Sequence, residues 1–332
     1  MQKARCDAPC FFVVKGALLC YTEEKDVMIL IAFQHLDPAD KAAYDHFLHN
    51  CGERGCEYNF ANLYLWGRQR AAFHEGNLVF FSQFNRQSVY PFPLWGSDPK
   101  QTLDAIIHDA KTRDIPCRLT SLSKEDCALL ERLYPGRFRF HTDRDSFDYI
   151  YAIDDLADLK GRKYQKKRNH INRFRQNYPE YTVEPLTDEN TEDAVRLLQK
   201  WYTDRTLADP HSDFQMEQAA IFKALRNRKE LEIDGLLLKH NGRPLAMTMG
   251  SLLSETTFDV QFEKALDEAD GAYPTVNQEF AKYLRAKYPN LQWLDREDDM
   301  GLEGLRKAKL SYEPHHLIEK HWACLLEDDY DY

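Results

Sequence analysis

Apolar and polar residues alternate along the chain in short runs typical of strands, separated by segments with the three-to-four-residue spacing of helices. The first half is predicted to contain, in order, a helix at 36–50 entered through Asp37-Pro38, an apolar segment at 59–70, strands at 72–73, 78–84 and 88–94, a helix at 98–111, a strand at 117–122, a helix at 123–133 and strands at 138–141 and 147–153. Proline at a first helical turn and the capping pair Ser123/Asp126 support two of these helices.

The second half repeats this order. It is predicted to contain helices at 189–203 and 215–226, a hairpin of strands at 231–240 and 244–253 across Asn241-Gly242, a strand at 256–262, a helix at 273–287, a strand at 291–295, a helix at 302–310 and a strand at 315–324. An element order that occurs twice indicates a duplicated domain. We therefore predict an α+β protein of tandem duplicated GNAT-like (acyl-CoA N-acyltransferase-like) domains, in which a central sheet opens around the acyl donor. Two unrelated α+β domains are the alternative.

Domain boundaries follow from this repeat. We predict an N-terminal extension at 1–27, a first GNAT-like domain at 28–157, a basic helical connector at 158–180, a second GNAT-like domain at 181–326 and an acidic tail at 327–332. A length of 332 residues with 43% apolar residues suits two cores of this kind.

Location and cofactors are indicated mainly by absent patterns. No apolar run reaches the ~20 residues of a membrane span, so no integral membrane contact is expected. Lys3 and Arg5 precede apolar residues as in a signal peptide, but Lys15 interrupts them, and we predict a cytoplasmic protein. The eight cysteines are scattered, as is typical of reduced thiols. Four residues lie close enough in sequence to suggest zinc, but their spacing matches no regular ligand pattern: His46, His49, Cys51 and Cys56. Neither a metal nor a cofactor is expected.

The net charge of −10 hides a strongly basic segment. Eight Lys or Arg and no acid lie between Lys160 and Arg175, so the rest of the chain carries −18. Like charges at helical spacing repel unless acidic neighbours or an anionic ligand compensate. One interpretation is a solvated linker paired to the acidic domains. The other is a phosphate-binding surface for tRNA, formed by Lys163, Lys166, Lys167, Arg168, His170 and Arg173.

Two further segments carry polar groups suited to chemistry. Alternation in the strand at 258–263 predicts that Phe258, Val260 and Phe262 face one way, and that Asp259, Gln261 and Glu263 face the other, towards solvent or a polar cavity. The strand at 293–295 runs into acids and cations that suit a substrate with an ammonium and a phosphate, or else a plain ion-pair network. We predict catalytic roles for Glu263, Asp295 and Glu297. Substrate contacts are predicted for Gln261, Tyr273, Asn277, Arg296, Arg306, Lys307 and Lys309.

A CoA-dependent GNAT enzyme presents glycine-rich backbone amides to the pyrophosphate. The corresponding turn at 267–273 has three acids and one glycine, which disfavours acetyl-CoA. HExxH, GxSxG, Walker and Rossmann motifs are absent from the sequence.

Four stretches resemble the phosphatidylglycerol lysyltransferase C-terminal domain family: 58–66 (YNFANLYLW), 161–172 (GRKYQKKRNHIN), 258–280 and 296–312. The resemblance covers about residues 30–325 and is specific in the last three stretches. It implies tandem GNAT-like domains, as in the Fem-type peptidoglycan aminoacyl transferases. The named lysyltransferase moves an aminoacyl group from tRNA to a lipid. This sequence lacks its multi-span membrane domain, which leaves the acceptor open.

The basic segment, the acidic turn and this resemblance together predict an aminoacyl transferase that uses aminoacyl-tRNA. Glu263 or Asp295 would hold the donor ammonium or take the acceptor proton. The acceptor is an unidentified amine or hydroxyl on a small molecule, lipid or peptide. The alternatives are a CoA-dependent N-acyltransferase and a non-catalytic RNA- or protein-binding module on the same fold.

Overall fold

The computed structural model describes residues 10–14, 17–21, 27–84, 87–208 and 214–326. The acidic tail expected at 327–332 lies outside these residues. Within them, no helix is both long and apolar enough to cross a membrane.

The helices of the described residues are α1 (Lys41–Leu48), α2 (Phe60–Leu65), α3 (Pro99–Thr112), α4 (Lys124–Leu133), α5 (Ile153–Asp158), α6 (Gln165–Asn177), α7 (Thr191–Ala208), α8 (Gln215–Arg226), α9 (Ala272–Lys287) and α10 (Glu303–Leu310). Eight helices occur where the sequence pattern predicts a helix, with shifted ends; α2 falls in the apolar segment at 59–70, and α5 was not predicted. Local signals act as expected at two of them. Asp98 caps α3 by accepting from the Lys100 N–H, and Ser123 and Asp126 form the predicted capping box of α4.

The strands form three sheets. They are β1 (Cys10–Val14), β2 (Ala17–Tyr21), β3 (Val27–Leu30), β4 (Gln34–His35), β5 (Gln69–His74), β6 (Asn77–Phe84), β7 (Gln87–Pro91), β8 (Arg118–Leu122), β9 (Phe138–Thr142), β10 (Asp148–Ala152), β11 (Thr182–Pro185), β12 (Asp234–His240), β13 (Arg243–Leu252), β14 (Thr257–Ala265), β15 (Trp293–Asp295), β16 (His316–Ile318) and β17 (His321–Leu325). The predicted Asn241-Gly242 turn joins β12 to β13, and both residues have the positive φ that such a turn requires.

Two compact units divide the chain, and each is assembled from separate segments. Unit 1 contains residues 1–36, 68–143 and 320–332, and unit 2 contains residues 37–67 and 144–319. This division differs from the consecutive domains expected at 28–157 and 181–326. Residues 37–67 belong to unit 2, and the last strand belongs to unit 1. The structure also differs from the separate extension expected at 1–27, because β1 and β2 lie in this range and form one sheet with β3, in which β2 pairs with both other strands.

The two large sheets have the same plan. Unit 1 has the order β4-β5-β6-β7-β8-β17-β9, and unit 2 has the order β11-β12-β13-β14-β15-β10-β16. In each, the fourth and fifth strands are parallel, β7 with β8 and β14 with β15, and the other pairs are antiparallel. The repeated order confirms the predicted duplication of one GNAT-like arrangement.

A β-bulge in β14 changes which way its side chains point. Met249 pairs with Phe262 and Ser251 with Asp259, so that Gly250 alone stands opposite Val260 and Gln261. Phe258 packs on Phe280 of α9, yet Glu263, five residues later, also reaches α9.

The residues on the other face show the same interruption. Asp259 bonds Asn62 of α2, and Phe262, three residues later, packs on Trp66, which follows α2. The prediction that Asp259, Gln261 and Glu263 share one face is therefore wrong, because regular alternation stops at the bulge. Asp259 faces α2, whereas Glu263 faces α9.

Candidate functional site

A split opens in the sheet of unit 2 where β14 and β15 stop pairing. Their last paired residues are Asp259 and Asp295, and β14 continues for six more residues to Ala265. The side chains of Arg296 and Glu263 span this split, with Arg296 Nη2 donating to Glu263 Oε1 at 3.0 Å. Both are nearly buried, at 13% and 12% exposure, so they form a desolvated ion pair. Asn277 of α9 donates to the other oxygen of Glu263 at 3.1 Å.

Several buried polar atoms near this pair have no hydrogen-bond partner among the described residues. Thr248 is the register partner of Glu263 on β13, and Gln261 precedes Glu263 by two residues. We call Glu263, Arg296 and these three neighbours (Thr248, Gln261 and Asn277) the split cluster. Its unpartnered atoms are Thr248 Oγ1, Gln261 Oε1, Gln261 Nε2, Asn277 Oδ1 and Arg296 Nη1. Buried polar groups are almost always hydrogen-bonded, so this concentration indicates a ligand site.

A cavity of about 290 Å³ lies at the N-terminus of α9, and its lining residue Lys167 packs on the Tyr312 ring, as Arg296 of the split cluster does. Lys167, His170 and Tyr273 line it, together with Gly271, which precedes α9. Lys167 donates to Ser311 at 2.7 Å and lies 3.6 Å from the ring centre of Tyr312. Burial and the charge of Arg296 lower the pKa of Lys167 to about 8, against the opposing influence of Glu263. The Lys167 ammonium favours an anion here, whereas the start of α9 adds little, because the Ala272 N–H donates to the Ala269 carbonyl at 2.9 Å and Pro274 has no N–H.

On the α2 side of the split lies a second polar group. Asn62 Nδ2 is 2.9 Å from both Asp259 Oδ2 and Glu297 Oε1, and Asp295 accepts the Glu297 N–H at 2.7 Å. Burial raises the pKa of Glu297 above its ordinary value, although the bond from Asn62 acts in the opposite direction. Glu297 also has a φ of 58°, a backbone conformation that is costly for a residue with a side chain. The turn that Asp295 caps thus holds a strained, half-buried carboxyl group.

The predicted substrate residues of α10 are engaged elsewhere. Arg306 donates to Asp299 at 2.8 Å, and Lys307 is exposed and pairs with Glu303 at 2.6 Å. Lys309 is buried and donates to the backbone carbonyls of Arg296 and Glu297. Lys309 therefore supports the loop that carries these residues, and the ion-pair network considered for this segment applies to Arg306 and Lys307.

The basic segment is largely paired within unit 2. Four of its eight cations take part in ion pairs: Lys160–Asp158 at 2.7 Å, Lys163–Asp155 at 2.9 Å, Arg173–Asp270 at 2.7 Å and Arg175–Glu279 at 3.6 Å. Arg168 donates to the carbonyls of Leu159 and Gly161, and His170 lies 3.7 Å from Asp270. Lys166 is exposed, and Lys167 lines the cavity. Arg162 is exposed as well, so the linker interpretation accounts for much of the segment, but not for Arg162, Lys166 and Lys167.

The residues considered for zinc do not assemble as a group. In the described part of the chain, the ligand atoms that come within 4.8 Å of one another belong to Cys56, Glu57 and Asp148. Cys56 is the one member that both sets share. Cys51 instead donates to the Leu48 carbonyl at 2.8 Å.

Three residues of these sites were missed by sequence reasoning. Thr248 sits in an apolar strand, and its role depends on its pairing with Glu263. Tyr312 lies beneath both Lys167 and Arg296, 4.9 Å from the latter. Asn62 falls in the first of the four resembling stretches, and that stretch was the available signal for it.

Comparisons with known proteins agree with this fold. A conserved protein of unknown function from Bacteroides thetaiotaomicron is 37% identical, with a TM-score of 0.84, over 89% of this chain and all of that one. L-PGS from Bacillus licheniformis is 15% identical, with a TM-score of 0.62, over 88% and 93% of the two chains. FemX is 14% identical, with a TM-score of 0.55, over 89% and 97%. The last two similarities concern the fold alone.

Among curated sequences, an uncharacterized protein of Mycoplasmoides gallisepticum is 30% identical over 179 residues. The match covers 53% of this chain and 55% of that protein, so the chain spans about half the length of the curated relative. The family model described as "Phosphatidylglycerol lysyltransferase, C-terminal" matches residues 49–324. This chain therefore belongs to the phosphatidylglycerol lysyltransferase C-terminal family, as its sequence motifs predicted.

Proposed function

We propose that this protein transfers the aminoacyl group of an aminoacyl-tRNA to an amine or hydroxyl acceptor. The observation that carries the proposal is the set of unpartnered atoms around Glu263. An aminoacyl ester offers a carbonyl oxygen, which matches the donor Arg296 Nη1, and an α-ammonium, which matches the acceptor Asn277 Oδ1 beside the Glu263 carboxylate. An acetyl group has the carbonyl but no ammonium.

The cavity at the start of α9 supports a phosphate-bearing donor. Lys167 and His170 line it, and the 3′ end of a tRNA would bring phosphates to these side chains while its aminoacyl group enters the split cluster. Asp267 and Asp270 also line the cavity, but each is paired with an arginine at 2.7 Å. Those ion pairs reduce the repulsion that the acidic turn would otherwise exert on a phosphate.

The reaction that follows is acyl transfer at the ester carbonyl. The acceptor nitrogen or oxygen attacks the carbonyl carbon, and the bond from that carbon to the ribose oxygen breaks. The attacking atom loses one proton, and the ribose oxygen gains one. We assign the transfer of this proton to Glu297, whose raised pKa suits a group that both takes and returns a proton near neutral pH. Arg296 would stabilise the negative charge that develops on the carbonyl oxygen.

Acetyl-CoA is expected to leave the melting temperature unchanged at micromolar concentrations. The acidic turn lacks a glycine-rich loop for a pyrophosphate, and the split cluster offers an ammonium site that acetyl-CoA cannot fill. A ligand at a hundredfold excess over its Kd would stabilise the fold by about 2.7 kcal/mol. Thermal denaturation with and without acetyl-CoA measures this. A clear increase in melting temperature would favour the CoA-dependent alternative.

Removal of Lys166 and Lys167 is expected to flatten the salt dependence of tRNA binding. Each phosphate contact contributes roughly 0.7 to 0.9 to the slope of log K against log salt, so the double alanine variant should lose about 1.4 to 1.8 units. Filter binding of charged and uncharged tRNA over a salt series measures the slope.

Lys229→Ala is the matched control for this measurement, because Lys229 is an exposed lysine that pairs with Asp188 away from the cavity. It should leave the slope unchanged. Equal slopes of log K against log salt for wild type and the double variant would show that the basic segment is a linker and not a tRNA-binding surface.

A further inference from the structure

The side chain of Gln261 is a buried amide without hydrogen bonds. It is 8% exposed, and neither its oxygen nor its nitrogen has a partner among the described residues. A buried amide with one group unpaired is already unfavourable, and here both the donor and the acceptor are unpaired. Such a side chain indicates a ligand that both donates and accepts a hydrogen bond at this point.

The bulge fixes the side of the sheet on which Gln261 lies. Regular pairing resumes at Phe262 and Glu263, so Gln261 and Glu263, two residues apart, share the face towards α9. Thr248, fully buried, joins that face through its pairing with Glu263. Gln261 therefore lies on the same face as Glu263, two residues along β14 from the carboxylate assigned to the α-ammonium.

The charges of the split cluster limit which side chain of a donor amino acid can bind there. Arg296 already balances Glu263, and the α-ammonium of any aminoacyl group adds one positive charge. A lysyl side chain would add a second ammonium on the face of the split towards α9, where the carboxylate of the split cluster, Glu263, already pairs with Arg296. A lysyl ammonium also has no acceptor atom for the Gln261 amide nitrogen, and an alanyl side chain leaves both Gln261 atoms unpaired.

We propose that Gln261 selects a donor amino acid with a neutral side chain that both donates and accepts a hydrogen bond, namely serine, threonine, asparagine or glutamine. The inference rests on the proposed function, because it assigns the split cluster to the aminoacyl group. It differs from the lysine that the family's description names.

Stable donor analogues test this without an acceptor. The probes are seryl, asparaginyl, alanyl and lysyl amides of 3′-amino-3′-deoxyadenosine, and calorimetric titration measures their Kd. The seryl or asparaginyl analogue is expected to bind at least about tenfold more tightly than the alanyl and lysyl analogues, because a site built for a hydrogen bond rejects a ligand that lacks it. In Gln261→Leu the Kd values of the four analogues should become similar, and in Gln261→Glu the lysyl analogue should bind more tightly than it does to wild type.

The melting temperature of the ligand-free protein distinguishes a role of Gln261 in ligand recognition from a role in stabilising the fold. Gln261→Leu removes two unpaired buried groups and keeps a similar volume, so the ligand-free variant should melt at the same temperature as wild type or higher. A lower melting temperature would make Gln261 a structural residue and overturn the proposal. Tightest binding of the lysyl analogue, or an unchanged preference in Gln261→Leu, would overturn it while leaving the proposed function standing. Failure of every analogue to bind would overturn the proposed function itself.

Discussion

Glu263→Gln is expected to lower aminoacyl transfer by about 100-fold or more, because the amide can no longer hold the donor ammonium. The same change leaves Arg296 as a buried charge without its partner 3.0 Å away, which should cost about 3 to 5 kcal/mol of unfolding free energy. Transfer is measured with radiolabelled aminoacyl-tRNA, and stability by urea denaturation. A single variant of this kind confuses loss of chemistry with loss of fold.

Pairing Glu263→Gln with Arg296→Met removes that ambiguity. Without the buried charge, the double variant should recover most of the lost stability while transfer stays absent. Glu279→Gln is the matched control, since Glu279 lies on the same helix α9, pairs with Lys282 at 2.9 Å and has no part in the split cluster. Transfer by Glu263→Gln within about twofold of wild type would show that the chemistry lies elsewhere.

Gly250→Ala is expected to cause the largest loss of stability among conservative changes in unit 2. A Cβ at this position would lie 1.9 Å from the backbone oxygen of Asp259 and 2.8 Å from the Phe258 ring. The backbone oxygen cannot move without disturbing the bulge, so we expect a cost of about 3 kcal/mol or more. The midpoint of urea denaturation measures it.

Gly304→Ala, in the same unit, is expected to increase stability. Gly304 lies in α10, and a Cβ added there would meet no described atom within 4 Å, so alanine should stabilise the helix by about 0.5 to 1 kcal/mol. If Gly250→Ala proved as harmless as Gly304→Ala, β13 and β14 could not approach each other as closely as described.

Local signals predicted most of the fold. The Asn241-Gly242 turn, the capping box of α4 and the proline at the start of α3 each act within a few residues, and each is confirmed. The duplicated element order was visible for the same reason. Which strands join which sheet was not visible, because the pairing of β10 with β15 and of β17 with β9 joins residues far apart in sequence.

The candidate site shows the same limit. Glu263, Asn277 and Arg296 were predicted together and come together. The facing of Asp259 was predicted wrongly, because the bulge depends on the close approach of Gly250 from the neighbouring strand. The ion pairs of the basic segment could not be predicted for the same reason, since they depend on residues far away in sequence. The partner of Arg173, Asp270, lies 97 residues further along the chain, and the pairing is a product of folding.

The interleaved units have a consequence for how the protein is made. All segments of unit 2 have been synthesised once residue 319 has left the ribosome, whereas the sheet of unit 1 still lacks β17. β17 lies between β8 and β9, so until it arrives these two strands have unpaired edges. Unit 1, although it contains the earliest residues, would therefore be the last to close. During that interval it would be the part most exposed to aggregation and to capture by chaperones.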